Sequence, residues 1–351
     1  MTERTERREG VEEAMGAGGA GDGAPLVHAS VQGGRGSAAA LLNRPRGKSV
    51  PGPRAATTFG LPAGLLKTAR PRQWVKNVLV VAAPAAAGEL FSWHAAAQLA
   101  LVFLLFTAAA SAVYLINDAR DAEADRAHPV KRNRPVAAGY VPVAVAYGVG
   151  GGLAVLAPLA ARTLCNPMTA ALLTAYVVMQ LAYCISLKHV LVVDLVVVTI
   201  GFLMRAMIGG LALGIPLSRW FLITTGFGAL FMVSAKRYSE AVQMAGKAGA
   251  TRALLSEYTT GYLRFVWQLA AGVAVLAYCL WAMEEGGVAR TSLLPWRQLS
   301  MVAFILAVLR YAVFADRGTA GEPEEVVLRD RALALIGLVW VAMYGLAVAN
   351  W

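Results

Sequence analysis

The sequence predicts an all-α protein, a polytopic membrane helical bundle of about nine transmembrane helices. Hydrophobic residues make up 58% of the chain, above the roughly 45–50% of soluble domains. The mean hydropathy is +0.56. Apolar stretches also recur at close to the ~20 residues that a helix needs to cross hydrocarbon.

The elements follow in order. Residues 1–58 contain no Phe, Trp or Tyr and are rich in Gly, Ala, Pro and charge. They bury too little surface to fold alone and read as a disordered cytoplasmic tail. The start, MTERTERREG, lacks the apolar core of a signal peptide. Residues 59–351 read as one transmembrane catalytic domain, entered by a short interfacial helix over 61–69. Its candidate spans are 76–92, 97–116, 141–161, 167–186, 190–213, 219–235, 264–283, 298–315 and 332–350. The first is short and is interrupted by Pro84 and Glu89. The fifth carries Arg205 at its centre, which hydrocarbon tolerates only beside a polar cavity or a partner.

Charge orients the bundle. With the N-terminus inside, 18 Lys and Arg fall on the cytoplasmic side and 4 on the other, the asymmetry of the positive-inside rule. The excess of 32 Lys+Arg over 21 Asp+Glu therefore reflects cytoplasmic loops, anionic headgroups and phosphorylated substrates rather than nucleic acid. This describes a multi-pass protein of the cell (inner) membrane with its site toward the cytoplasm. The cysteines (165, 184, 279) and histidines (28, 94, 128, 189) are dispersed without metal-ligand or redox spacing. The cysteines read as small packing residues, and no zinc site is inferred.

The stretch Asn117 to Asp125 carries the first chemistry. On a helix, Asp118, Asp121 and Asp125 stand at i, i+3 and i+7 and share one face. Like charges that close need a cation between them. Mg²⁺, which takes a few carboxylates plus substrate phosphate oxygens, fits such a face at the end of a span. The Asn117 side chain adds an oxygen or a hydrogen bond. The plain alternative pairs Asp121 and Asp125 with Arg120 and Arg126.

The pattern Asn-Asp-x-x-Asp-x-x-x-Asp after the second of nine spans resembles the UbiA superfamily of intramembrane prenyltransferases. The resemblance implies an all-helical fold in which these aspartates bind Mg²⁺ and a diphosphate, in a cavity opened toward lipid. Ordinary members carry a second aspartate-rich motif after the sixth span. Here that place reads Lys236-Arg237-Tyr238-Ser239-Glu240. More cations and fewer acids imply a substrate with phosphate charge beyond one metal-bound diphosphate. A salt-bridged helix end, Lys236 with Glu240, is the alternative.

Further stretches resemble one branch of that superfamily: Arg70 to Asn77, Leu187-Lys188-His189, Gly201 to Ala206, Lys236-Arg237-Tyr238 and Gly321 to Glu325. This branch moves 5-phosphoribose from phosphoribosyl diphosphate onto decaprenyl (polyprenyl) phosphate, releasing diphosphate and feeding arabinose-donor synthesis for cell-wall arabinan. The resemblance implies roles residue by residue. Asp118, Asp121 and Asp125 would hold Mg²⁺ and, with Lys236, serve catalysis. Arg72, Lys76, Asn117, Lys131, Arg132, Arg134, Tyr183, Lys188, Arg205, Arg237 and Glu240 would bind substrate. Each cation alone is also explained as a headgroup anchor, Tyr183 as an interfacial tyrosine, and Arg205 as an ion pair with Asp194. The expected partners are phosphoribosyl diphosphate, a polyprenyl phosphate and the bilayer, with a homo-oligomer left open. The competing reading is an orthodox prenyltransferase acting on an aromatic acceptor in quinone or haem side-chain synthesis.

Overall fold

The structure is a computed structural model that describes residues 60–90, 92–244, 257–284 and 294–348. The predicted tail lies outside them, as do Lys247, Arg252 and Arg290. Among the described residues every regular element is helical. The α-helices are α1 (Leu61–Thr68), α2 (Ala82–Ala87), α3 (Trp93–Arg120), α4 (Ala122–Ala127), α5 (Val143–Leu164) and α6 (Pro167–Ile185). They continue as α7 (Val193–Ala212), α8 (Arg219–Met244), α9 (Thr260–Met283), α10 (Trp296–Asp316), α11 (Pro323–Arg329) and α12 (Arg331–Val348).

Seven described helices are long and apolar enough to cross a membrane: α3, α5, α6, α7, α9, α10 and α12. The predicted sixth span lies in α8, whose 26 residues run on past the apolar part to include Lys236, Arg237 and Glu240. The predicted first span, 76–92, is not one α-helix. Pro71–Val81 form a 3₁₀ helix that leads into the six-residue α2. Pro84 has no N–H to give the carbonyl of Val80, so an α-helical hydrogen bond is missing where the two pieces meet. That carbonyl instead abuts α7 at Gly209, where a Cβ would stand 2.0 Å from it. Only a glycine lets the two backbones meet this closely, the packing that membrane helices favour.

Caps set the helix boundaries. Ser92 accepts from the Ala95 N–H at the start of α3, and Thr259 from the Tyr262 N–H at the start of α9. Asn166 caps α6 by accepting from the Thr169 N–H. It also donates to the carbonyls of Leu211 and Ala212, ending α7.

Two apolar cores share α7. Phe106, Leu173, Tyr176, Met204 and Ile208 join α3, α6 and α7. Leu195, Phe231, Tyr238, Trp267 and Tyr311 join α7 to α10. Outward faces keep large apolar side chains exposed, among them Leu104, Leu156, Leu335 and Leu338. Such contiguous apolar surface would be unstable in water, and a bilayer covers it.

Candidate active site

The polar residues gather at one end of the bundle, where α3 stops and α7 starts. Helical hydrogen bonding runs almost unbroken through the α3–α4 junction: the Asp121 N–H donates to Asn117 O and the Asp125 N–H to Asp121 O. The three aspartates therefore keep the shared face that their spacing predicts.

Their partners differ from the plain sequence alternative. Arg120 donates to the Ile185 carbonyl and Arg126 to the Ala137 carbonyl. Asp118, 2% exposed, accepts from Arg70 Nη2 at 2.7 Å and from Arg134 Nη1 at 3.2 Å. The same Arg134 nitrogen donates to Asp125 at 2.7 Å. Lys188 Nζ lies 3.4 Å from an Asp121 oxygen. Buried carboxylates demand such compensation.

A cavity of about 390 Å³ opens beside this face. Arg70, Lys131, Arg134, Lys188 and Arg237 line it, with Asp121 and Asp194 as its carboxylates. Asn117, Tyr183, His189, Gln180 and Tyr258 complete much of the polar wall. Five guanidinium or ammonium groups against two carboxylates suit a polyanion.

Of the residues singled out in the sequence, Asn117, Asp121, Lys131, Arg134, Tyr183, Lys188 and Arg237 meet at this cavity. Asp118 and Asp125 lie buried behind it, held through Arg70 and Arg134, which do line it. Glu240 takes Arg237 Nη1 at 3.1 Å and Lys236 at 4.0 Å, the helical pairing that the sequence alternative describes. Arg72 and Arg132 are exposed outside the lining, and Lys76 lies with its ammonium 6.0 Å from the Phe202 ring centre.

Arg205 is buried deeper, and it is not paired with Asp194. Its Nε donates to Asn77 Oδ1 at 3.0 Å, Nη1 to the Gly201 carbonyl and Nη2 to Tyr176 Oη at 2.7 Å. Phe106, Tyr176 and Phe202 surround the guanidinium within 5.5 Å. Neutral acceptors and ring faces thus carry its charge, where the sequence reading assigns Arg205 to substrate phosphate and offers an Asp194 ion pair as the alternative; it does not line the cavity.

Asp194 belongs instead to the cavity wall. Tyr258 donates its hydroxyl to Asp194 Oδ1 at 2.5 Å, and Arg237 Nε lies 3.6 Å from Oδ2. Burial, reinforced by the Asp194 hydrogen bond, raises the Tyr258 hydroxyl well above its ordinary pKa, so it stays a donor.

Arg70, Asp194 and Tyr258 also line the cavity, and the site assignment from sequence leaves them out. Arg70 precedes Pro71 and adopts a left-handed backbone (φ 56°, ψ 66°), with its guanidinium 4.6 Å from the Tyr114 ring centre. A non-glycine residue there is uncommon, and strain of this kind gathers at functional sites.

Asp118, Asp121, Asp125 and Asn117 offer only oxygen donors, which fits a hard divalent cation. Among the described residues no three acidic, His or Cys side chains converge closely enough to hold a metal by themselves. An ion there would share protein oxygens with the substrate's own phosphate.

Comparison with known proteins identifies the family and the fold. Residues 78–336 match the model of the UbiA prenyltransferase family. The chain is 50% identical over 294 residues to decaprenyl-phosphate phosphoribosyltransferase of Mycobacterium tuberculosis, covering 82% of this chain and 95% of that one. It is 47% identical over 306 residues to the enzyme of the same name from Mycolicibacterium smegmatis, covering 84% and 96%. Among solved structures, a UbiA homolog from Archaeoglobus fulgidus bound to GPP and Mg²⁺ superposes with a TM-score of 0.60 at 15% identity. That match covers 82% of this chain and all of the other.

Proposed function

The chain belongs to the UbiA prenyltransferase family, and from that membership we propose that it is a decaprenyl-phosphate phosphoribosyltransferase. It moves 5-phosphoribose from phosphoribosyl diphosphate to a polyprenyl phosphate and releases diphosphate. The observation that carries the reading is one cavity lined both by Asp121, paired with Lys188, and by Arg237. Where ordinary relatives have a second acidic motif, this chain presents Arg237. A donor with a diphosphate at one end and a phosphate at the other needs such an asymmetric site.

Asp118, Asp121 and Asp125 would hold Mg²⁺, which neutralises charge on the departing diphosphate. Arg70 and Arg134 hold the Asp118 and Asp125 carboxylates in place. Lys188, Lys131 and Arg237 would hold the remaining phosphates, bringing two anions together against their repulsion. The acceptor phosphate is already anionic near neutral pH, so no strong general base is required. Glu240 orients Arg237, and Arg205 stiffens the bundle beneath the cavity. The polyprenyl tail lies along apolar helix faces open to the bilayer. The active site faces the cytoplasm from the cell membrane, within a catalytic domain of residues 59–351.

Purified protein in detergent, given radiolabelled phosphoribosyl diphosphate, Mg²⁺ and decaprenyl phosphate, should move label into the chloroform phase. No transfer, together with prenylation of an aromatic acid, would establish the orthodox prenyltransferase reading instead.

A further inference from the structure

Two non-glycine residues in the described chain have a left-handed φ, Arg70 and Val192. Val192 is the more costly, since a β-branched side chain disfavours φ 68°. Strain of this sort survives only where neighbours over-determine it. The Val192 N–H is held by the Tyr258 hydroxyl oxygen at 2.6 Å. That hydroxyl in turn donates to Asp194 at 2.5 Å.

The two bonds reach different cations. Val192 ends the short connection that carries Lys188, which lies in the 3₁₀ turn Leu187–His189 and pairs with Asp121. Asp194 sits in the first turn of α7 and faces Arg237 of α8. Tyr258 stands just before the α9 cap Thr259, so it arrives from a third element. Tyr258, Asp194, Lys188 and Arg237 all line the cavity.

We propose that Tyr258 is a positioning residue whose single hydroxyl fixes two cations at once, Lys188 through the strained Val192 and Arg237 through Asp194. The cations meet substrate phosphate, and Tyr258 acts through them. This inference rests on the phosphoribosyl-transfer reading for the identity of the anion, while the clasp itself is a matter of anion affinity. Losing the hydroxyl leaves the Val192 N–H and one Asp194 oxygen without their partner. Asp194 then turns toward Arg237 and draws it from the cavity.

The test measures binding of phosphoribosyl diphosphate and of inorganic diphosphate, each with Mg²⁺, to full-length protein in detergent. Tyr258→Phe should weaken phosphoribosyl diphosphate binding about tenfold, the scale of one lost buried hydrogen bond. In the transfer assay its KM for that substrate should rise more than kcat falls, a split that general loosening of the fold does not produce. Asp194→Asn should weaken binding by less, since it touches only the Arg237 arm, and the double variant no further than Tyr258→Phe alone, because that arm runs through both residues. Should Tyr258→Phe fail to fold, Tyr258→Phe/Val192→Gly removes the strain while Asp194 still lacks the Tyr258 hydrogen bond. Its binding should still be weakened. Affinity within twofold of wild type, or additive losses in the double variant, would overturn the clasp. Wild-type protein that binds diphosphate but not phosphoribosyl diphosphate would sink the assigned reaction alone, and the diphosphate series would still decide the clasp.

Discussion

Arg70 donates to Asp118 at 2.7 Å across 48 residues of sequence. The carboxylate is almost fully buried, while the guanidinium is one-third exposed at the cavity. The left-handed backbone at Arg70 and the Tyr114 ring beside it hold the arginine in that position.

Removing the arginine leaves Asp118 with only the longer Arg134 contact. Arg70→Ala should destabilise the protein by about 1–3 kcal/mol, the cost of an under-satisfied buried group. Transfer should fall at least about tenfold if the carboxylate loses alignment. Combining it with Asp118→Asn should cost less than the sum of the two, as contacting residues do. Thermal melting in detergent and initial rates check both; strict additivity would show that the pair is not coupled.

Asp118, Asp121 and Asp125 are the residues proposed to hold Mg²⁺, and metal removal tests that assignment. Chelation by EDTA should abolish transfer, and Mg²⁺ should restore it. Asp121→Asn should raise the Mg²⁺ concentration for half-maximal rate by about 10–100-fold, on the scale of ligand-shell changes. An unchanged Mg²⁺ curve would remove Asp121 from the metal site.

Arg205 uses a planar fork, with three N–H groups on three acceptors and ring faces around it. Lysine cannot reproduce that set. Arg205→Lys should therefore be nearly as destabilising as Arg205→Met, by about 2–4 kcal/mol. Full recovery of the melting midpoint by lysine would show that charge alone matters there.

Gly209 marks the closest approach of the 3₁₀ segment to α7. A Cβ at 209 would stand 2.0 Å from the Val80 oxygen and 2.9 Å from a Leu99 methyl. Gly209→Ala should cost at least about 2 kcal/mol, since backbone must move. Gly228, within α8, has nothing within 4 Å of its Cβ position. Gly228→Ala should be neutral or stabilising by up to ~1 kcal/mol. Equal melting shifts for the two would refute the packing argument.

Asp330 accepts from Arg310 at 2.7 Å and from the Leu333 N–H, and the Arg310 hydrogen bond is the main reason its pKa lies below the ordinary carboxylate value. A carboxylate depressed in the folded state adds stability above its unfolded pKa of about 4, and that stability is lost as pH falls through the folded value. Asp330→Asn should thus lower the melting midpoint at pH 6 and converge on wild type as the pH falls through the folded carboxylate's depressed pKa. Parallel curves would show that the ion pair contributes nothing.

The sequence by itself determined the helical membrane class, because length and apolarity are local properties that a bilayer reads directly. It also determined the shared face of Asp118, Asp121 and Asp125, since helical period sets that face wherever the chain stays helical. Tertiary structure decided the pairing. Arg134 rather than Arg126 meets Asp125, Arg237 rather than Arg205 faces Asp194, and Arg70 reaches Asp118. These partners lie on different elements, and no spacing along one strand of sequence encodes a contact between two helices. The 3₁₀ entry segment was hidden for the same reason, since its close packing depends on a glycine well over a hundred residues further along the chain. Desolvation forces each buried charge to find a partner, and only the packed bundle decides which one is within reach.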